Sequence, residues 1–428
     1  MALPEEGYDW MARKTSRWAP LRVPRFRALW AAGLLSWYGD FLTLPALLII
    51  AYRLGGEVGA GLLFVFQTGP LLALLPIGGQ QGDQGDRRRR LVALDLARAS
   101  LVGLMVVSAQ SHLLAVLLLA VAGSRSASAL YDPGRRRLVP VLLPRELVAA
   151  GGSLLSVVSE SSILVAPALG ALLLLVVSPS VLILMDGCTF LLSALLLSRV
   201  GAQPSVWTSR AATARQGWRQ LRRGFDLLLL DSTVALFAIQ AGFGAMLAGV
   251  ITVYFVPIAH HSLHLPTNQV GVMYVIVGAA SVAGSFLALR RPQVGRGGLV
   301  AIGYFHLLVA VLVGSLVGPV VVVAALVLFA GTGALQEVWG FNRLQTTTPR
   351  DGIGQAFGSA LWFQFLGRVV GAGLGAWGAS HLPQQDFFYL VVVAAVVVCV
   401  VATVSRSAFR YRSTANWPPG NPPLPMEP

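Results

Sequence analysis

The chain has 428 residues, of which 55% are hydrophobic and only 12% charged, with a mean hydropathy of +0.70. So few charges cannot cover a soluble globule of this length, which places the chain among polytopic membrane proteins. The net charge of +14 would suit nucleic acid in a soluble protein. Here the basic residues fall in the short breaks between apolar runs, where they set topology and meet lipid headgroups, so nucleic acid is not an expected partner.

In chain order, residues 1–27 are polar and basic, with Trp10, Trp18 and Trp30 suited to a membrane interface, and read as a cytoplasmic tail. The first apolar run begins near residue 28, exceeds twenty residues and lacks a small-residue cleavage site, so it reads as a retained helix rather than a signal peptide. Spans are predicted at about 28–51, 58–77, 91–109, 112–131, 147–177 and 179–198, an N-terminal bundle over 28–198. A polar connector, 199–232, carries the basic amphipathic stretch Arg215 to Arg223, which fits a helix lying on the inner membrane surface. Six further spans, at about 233–257, 268–289, 298–316, 319–341, 353–379 and 386–405, make a C-terminal bundle over 233–405. The tail, 406–428, is proline-rich from Trp417 onward and expected to be disordered and cytoplasmic.

All but four of the 32 basic residues then lie on one side of the membrane. The exceptions are Arg53, in an outer loop, and Arg98, Arg125 and Arg368, within spans. A miscounted helix would have scrambled this asymmetry, so twelve spans with both termini cytoplasmic is the expected topology. A shift of 205 residues sets Pro144-Arg145-Glu146 on Pro349-Arg350-Asp351, Leu169-Gly170-Ala171 on Leu374-Gly375-Ala376, and Gly39 on Gly244. The fold class is therefore all-α: two pseudo-symmetric six-helix bundles in parallel arrangement.

Helices 5 and 11 carry small residues at matched positions, Ala166, Pro167 and Gly170 in one and Gly367, Gly371 and Gly375 in the other. That spacing clears a helix face for close backbone approach. Ordinary tight packing is one reading, and sliding contact across the seam between the bundles is the other.

Ionised side chains at mid-membrane cost about 2.5–3.5 kcal/mol each on insertion scales, so those present point to function. Asp40, Glu160 and Glu337 sit roughly mid-span, where loss of water favours the protonated acid, as a reversible proton carrier requires. Arg125 and Arg368 are the candidate basic partners. Asp95 and Arg98, three apart, read as a structural ion pair, and Asp186 as a cap or anchor near a helix end. His260, His261 and His264 lie in an outer loop without cysteine or carboxylate nearby and read as solvated, so no metal is expected. Cys188 and Cys399 lie in apolar runs and form no disulfide framework. No Gly-x-x-x-x-Gly-Lys-Ser/Thr occurs and Lys14 is the single lysine, which excludes an ATP-driven pump on this chain.

The loop between spans 2 and 3 holds Gly79, Asp83, Arg87 and Arg88, and resembles the signature loop at that position in the major facilitator superfamily. The stretch Ala166-Pro167-Ala168-Leu169-Gly170-Ala171 resembles the helix 5 motif of the superfamily's antiporters. Phe26-Arg27-Ala28-Leu29-Trp30, Ser36-Trp37-Tyr38-Gly39-Asp40, Ser128 to Arg136 and Asp186-Gly187-Cys188-Thr189-Phe190 resemble the branch of enterobactin exporters and macrolide efflux pumps. The resemblance implies a non-enzymatic, cofactor-free monomer of a bacterial inner membrane. It would export an amphipathic small molecule, with protons as coupling ion and lipids as surroundings. A siderophore exporter, a lipid flippase and a non-transporting receptor stay open as alternatives. It also implies a cytoplasmic gate in which Asp83 meets the start of helix 11, Arg87 and Arg88 hold that carboxylate, and Asp132 neutralises them.

Overall fold

A computed structural model describes residues 18–78, 87–136, 138–201, 214–266, 270–290, 294–314, 318–349 and 352–404. All regular structure among them is helical. The N-terminal half contains α1 (Pro24–Leu42), α2 (Leu44–Gly78), α3 (Arg87–Gln110), α4 (Leu114–Arg136), α5 (Arg145–Leu173) and α6 (Pro179–Ser198). The connector contributes α7 (Ala214–Leu228). The C-terminal half contains α8 (Ser232–Val253), α9 (Gly271–Arg290), α10 (Arg296–Gly314), α11 (Pro319–Thr347), α12 (Ile353–His381) and α13 (Gln384–Val404).

Local chemistry sets the ends of these helices. Pro24, Pro179 and Pro319 open α1, α6 and α11, where a missing N–H costs nothing. Asp231 caps α8 by accepting from the amides of Thr233 (2.6 Å) and Val234 (3.2 Å), and it pairs with Arg343 at 3.0 Å. Burial pushes the Asp231 carboxyl up, but the Thr233 amide, Arg343 and the Val234 amide outweigh it and hold it below the usual carboxylate range. Inside α2, Gly55 and Gly56 leave helical geometry, Gly56 with φ +57°, a left-handed conformation that glycine adopts without strain. A Cβ on Gly59 would strike the Ala51 carbonyl, although residues eight apart in a straight helix lie about 12 Å apart. The chain therefore folds back at these glycines, and α2 is two limbs.

Nine helices among the described residues are long and apolar enough to cross a membrane, or ten if the bent α5 counts as one span. The difference from twelve has physical sources. The 51-residue stretch Pro24–Leu74 counts once although it reverses at Gly55-Gly56, and α12, with 29 residues, is long enough but is diluted by glycines, Gln364 and Arg368. The shift of 205 residues reappears in the helix starts: Leu114 and Pro319 open α4 and α11, and Pro179 and Gln384 open α6 and α13.

The small-residue faces make the close approaches expected of them, but not at the seam. A Cβ on Gly170 would collide with the Leu42 carbonyl at the end of α1, and one on Gly367 or Gly371 with backbone oxygens of Gly242 or Met246 in α8. Gly375 likewise faces Val250 of α8, while Ala166 and Pro167 are buried. The glycines of each stripe thus pack inside their own half, which corrects the seam assignment of Gly170, Gly367, Gly371 and Gly375, while Ala166 lies one turn before Gly170 and Pro167 one turn before Ala171. The seam lies one residue, about 100°, around each helix. Ala171 of α5 meets Gly271 of α9, and Ala372 and Ala376 of α12 meet Gly61 of α2.

Apolar burial is distributed unevenly along the spans. At the end remote from Arg87–Arg90, residues of both halves, including Leu47 to Ala51, Leu63, Leu174, Val250, Tyr254, Phe255 and Phe387, form one core. Toward the basic end the core divides into a cluster of the N-terminal half, around Phe26, Leu91, Tyr131 and Leu155, and separate clusters of the C-terminal half. The halves share one apolar core at the far end, and toward the basic end they keep a contact in which Trp362 of α12 donates to the Leu72 carbonyl of α2 at 3.0 Å. The amphipathic α7 packs part of its apolar face on α12, with Trp218 about half exposed. Ser359 donates to the Leu221 carbonyl at 2.8 Å, Gly224 rests on the Gln355 carbonyl, and Trp218 and Phe225 stand edge-on to Trp362 at 6.1 Å.

Candidate functional site

The N-terminal half buries a cluster of five charges. On α3, Asp95 and Arg98 are three residues apart and share a face. On α6, Asp186, Thr189 and Ser193 line another, spaced at helical turns. Asp40 comes from α1 and Arg125 from α4, and all five charged residues are less than a tenth exposed.

Arg98 is the centre of this cluster. Its Nη2 pairs with Asp40 Oδ2, its Nη1 donates to Ser36 (2.8 Å) and to Asp95 Oδ1 (3.3 Å), and its guanidinium lies 3.9 Å over the Phe190 ring. Arg125 lies 3.4 Å from Asp40 Oδ1 and donates to the Asp40 carbonyl at 3.3 Å. Asp95 also accepts from Ser193 at 2.6 Å, and Ser193 meets the Tyr131 hydroxyl at 3.2 Å. Asp186 accepts from Thr189 at 3.1 Å and rests on Gly39, next to Asp40, where a Cβ would collide with its Oδ1. No ion pair engages Asp186 among the described residues. Three carboxyl groups thus share two guanidinium groups away from water, and such a site is neutral when it holds one proton.

The expected Asp95–Arg98 pair is present, Arg98 also pairs with Asp40, and of the candidate basic partners it is Arg125 that meets Asp40. Asp186, read from the sequence as a cap or anchor, belongs to the cluster instead. The signal that would have found it is the repeat. The shift sets Asp40, Asp95, Arg98, Arg125 and Asp186 on Ala245, Val300, Gly303, Ala330 and Val391. The same architecture is built in the second half without charges at these positions. There the buried polar groups are neutral: Gln240 donates to the Val300 carbonyl (3.2 Å), Gln336 to Gln240 (3.4 Å), and His306 Nδ1 lies 2.9 Å from the Phe329 carbonyl.

The remaining candidates are dispersed. The side chain of Glu160 lies outside the described residues. Glu337 is exposed on α11, and the shift sets it on Asp132 near the end of α4. Arg368 is exposed on α12. Of the expected gate, Gly79 and Asp83 lie outside the described residues; Arg87 opens α3, with its side chain likewise undescribed. Asp132 accepts from Arg135, three residues on, at 3.0 Å, and the fully buried Arg135 guanidinium lies 3.3 Å over the Trp37 ring. The Asp132–Arg135 pair closes a turn of α4, and Arg88 is partly buried.

Known structures with the same arrangement are membrane transporters. A bacterial homologue of the iron transporter ferroportin in an inward-facing state superposes with a TM-score of 0.65 at 16% identity, covering 92% of this chain and 99% of that one. A bacterial homologue of the human lysosomal transporter Spinster, inward-facing and unoccupied, gives 0.61 at 16% identity over 93% and 99%. The human organic anion transporter MFSD10 gives 0.58 at 16% over 90% and 99%. In sequence, the uncharacterised MFS-type transporter YfiS of Bacillus subtilis (strain 168) is 27% identical over 226 residues, and the match spans about half of each protein, 50% of this chain and 54% of that relative. Residues 29–372 match the Major Facilitator Superfamily as a whole, and with helices and neighbours in agreement this chain belongs to that superfamily of membrane transporters.

Proposed function

We propose that the chain is a proton-coupled secondary transporter that exports an amphipathic small molecule by alternating access, as a monomer in a bacterial inner membrane with its basic end cytoplasmic. Within the superfamily, the motifs around Asp40, Asp132 and Asp186 favour the branch of enterobactin exporters and macrolide efflux pumps. The observation that supports proton coupling is the imbalance of three buried carboxyl groups against two guanidinium groups, in a site with no counterpart at the equivalent positions of the second half.

The chemistry follows from charge balance. With Arg125 on Asp40, Arg98 and Arg125 neutralise Asp40 and Asp95, and Asp186 holds one proton, hydrogen-bonded to Thr189. Arg125 is the least buried of the five charges and the only one on α4, so movement of α4 against α1 changes its distance from Asp40. When it withdraws, the balance calls for a second proton, and when it returns that proton leaves. Coupling needs only that substrate and proton occupy the site in alternation, so that each favours the conformation it binds better.

The test is gradient-driven uptake of a panel of fluorescent amphiphiles into inverted vesicles. Asp40→Asn should abolish pH-driven flux while Asp186→Asn and Glu337→Gln retain it. Unchanged pH-driven flux in Asp40→Asn rejects the reading.

A further inference from the structure

Arg368 has surroundings unlike those of any other charge in the spans. It lies mid-way along α12, is exposed, and makes no ion pair or hydrogen bond among the described residues. Its exposure is not toward lipid. Nine residues on, half a turn around the helix, Trp377 is 51% exposed, and Val370 beside it on that outer face is 43% exposed. Arg368 is on the opposite side, between the face that packs on α8 through Gly367 and Gly371 and the face that packs on α2 through Ala372 and Ala376.

Along this inner flank Ala376 and Ala372 are buried against α2 at the far end, Arg368 one turn further in is exposed, Gln364 a turn beyond it is buried, and Phe365 and Leu361 are partly exposed. Arg368 thus faces a vestibule between two contacts of α12 with α2, that of Ala372 and Ala376 with Gly61 at the far end and the Trp362–Leu72 hydrogen bond (3.0 Å) toward the basic end.

Among the described residues no counter-ion meets this guanidinium, and a mid-span charge is expensive, so in a vestibule it presents five donors for a ligand to receive. We infer that Arg368 receives an anionic group, a carboxylate, sulfonate or phosphate, of the transported molecule, whose apolar part lies along Phe365 and Leu361. This inference names the substrate class of the transport reading above and rests on it. Arginine suits the role because its charge is permanent and its planar fork matches two oxygens of an oxyanion.

Two measurements at equilibrium, without any gradient, test it in the full-length chain carrying Cys188→Ser and Cys399→Ser in nanodiscs. In the first, Leu361→Cys is modified by an anionic sulfonate thiol reagent and by its cationic trimethylammonium counterpart. The anionic reagent should react faster, the preference should vanish in Arg368→Gln, and Arg368→Lys should keep it. Equal rates with Arg368 present, or a preference that Arg368→Gln leaves unchanged, overturns the inference. In the second, N-dansyl amino acids and their carboxamides are titrated as pairs. The acid should bind about tenfold more tightly than its amide, the value of one charge-assisted contact, and the two should become equal in Arg368→Gln. Equal affinities in the unmodified site reject an anion site. Loss of pH-driven flux in the transport assay with the acid preference intact removes proton coupling and leaves the anion site standing.

Discussion

Arg98 is fully buried, and its environment explains why a chain so poor in charge keeps one there. One guanidinium meets Asp40, Asp95 and Ser36 and lies on Phe190, so its donors are largely satisfied without water. Removing it leaves three buried acids facing a single base, and loss of one partner from a buried pair costs about 3–5 kcal/mol. Asp186 is the opposite case, because it has no base of its own, and an asparagine there preserves a neutral, hydrogen-bonded group. Arg98→Met should therefore strongly lower the unfolding temperature followed by intrinsic tryptophan fluorescence in detergent, whereas Asp186→Asn should leave it unchanged or raise it. Equal damage from both substitutions would mean that Asp186 is ionised and paired in the folded chain. Reading residues one at a time did find the buried charges, since charge in an apolar run is visible without a fold. It did not find who pairs with whom, because Arg98 lies 58 positions from Asp40, and only packing of α1 on α3 brings them together.

At the scale of single helices, the glycines of α5 and α12 separate what spacing determines from what it leaves open. Small residues every fourth position do mark a face of close backbone approach, as the periodicity predicts. Which helix approaches is a tertiary fact: α1 and α8 take these faces, while the seam uses Ala171, Ala372 and Ala376, one residue on. The contrast gives a paired expectation. Gly170→Val places atoms where the Leu42 carbonyl stands and should destabilise the fold by more than about 1 kcal/mol, since backbone on both sides must give way. Gly103, within α3, has nothing within 4 Å of an added Cβ, and Gly103→Ala should be neutral or stabilising by up to about 1 kcal/mol through helix propensity alone. Thermal unfolding of the two variants side by side checks both. Equal stability of Gly170→Val and the parent chain would mean that α5 stands further from α1 than the structure places it.

For the molecule as a whole, charge asymmetry and the internal repeat made the architecture legible, because two helix pairs, α4 with α11 and α6 with α13, start 205 residues apart, as the sequence shift requires. The conformational state was not legible, since it depends on how much of the inter-half surface is in contact at each end. Apolar residues of both halves merge at the far end and form separate cores toward the basic end, where Trp362 still bonds the Leu72 carbonyl, so the far-end seam is the more extensive contact. Alternating access then requires the far-end seam to part. Ala171 and Gly271 make that seam between α5 and α9, and an added Cβ on Gly271 lies 2.7 Å from the Ala171 Cβ. Small relaxation of that contact brings two cysteines to the Cβ separation of a disulfide, about 3.8 Å. In a chain with Cys188→Ser and Cys399→Ser, the pair Ala171→Cys and Gly271→Cys should cross-link on mild oxidation without loss of fold. The link holds the far end shut, so transport into inverted vesicles should stop and a cysteine at Leu361 should stay open to labelling from the basic side. Reduction should restore flux, and either single cysteine should transport normally under oxidation. Flux that persists in the fully cross-linked protein would show that the two halves need not separate at this seam, and that access alternates by movement confined to single helices.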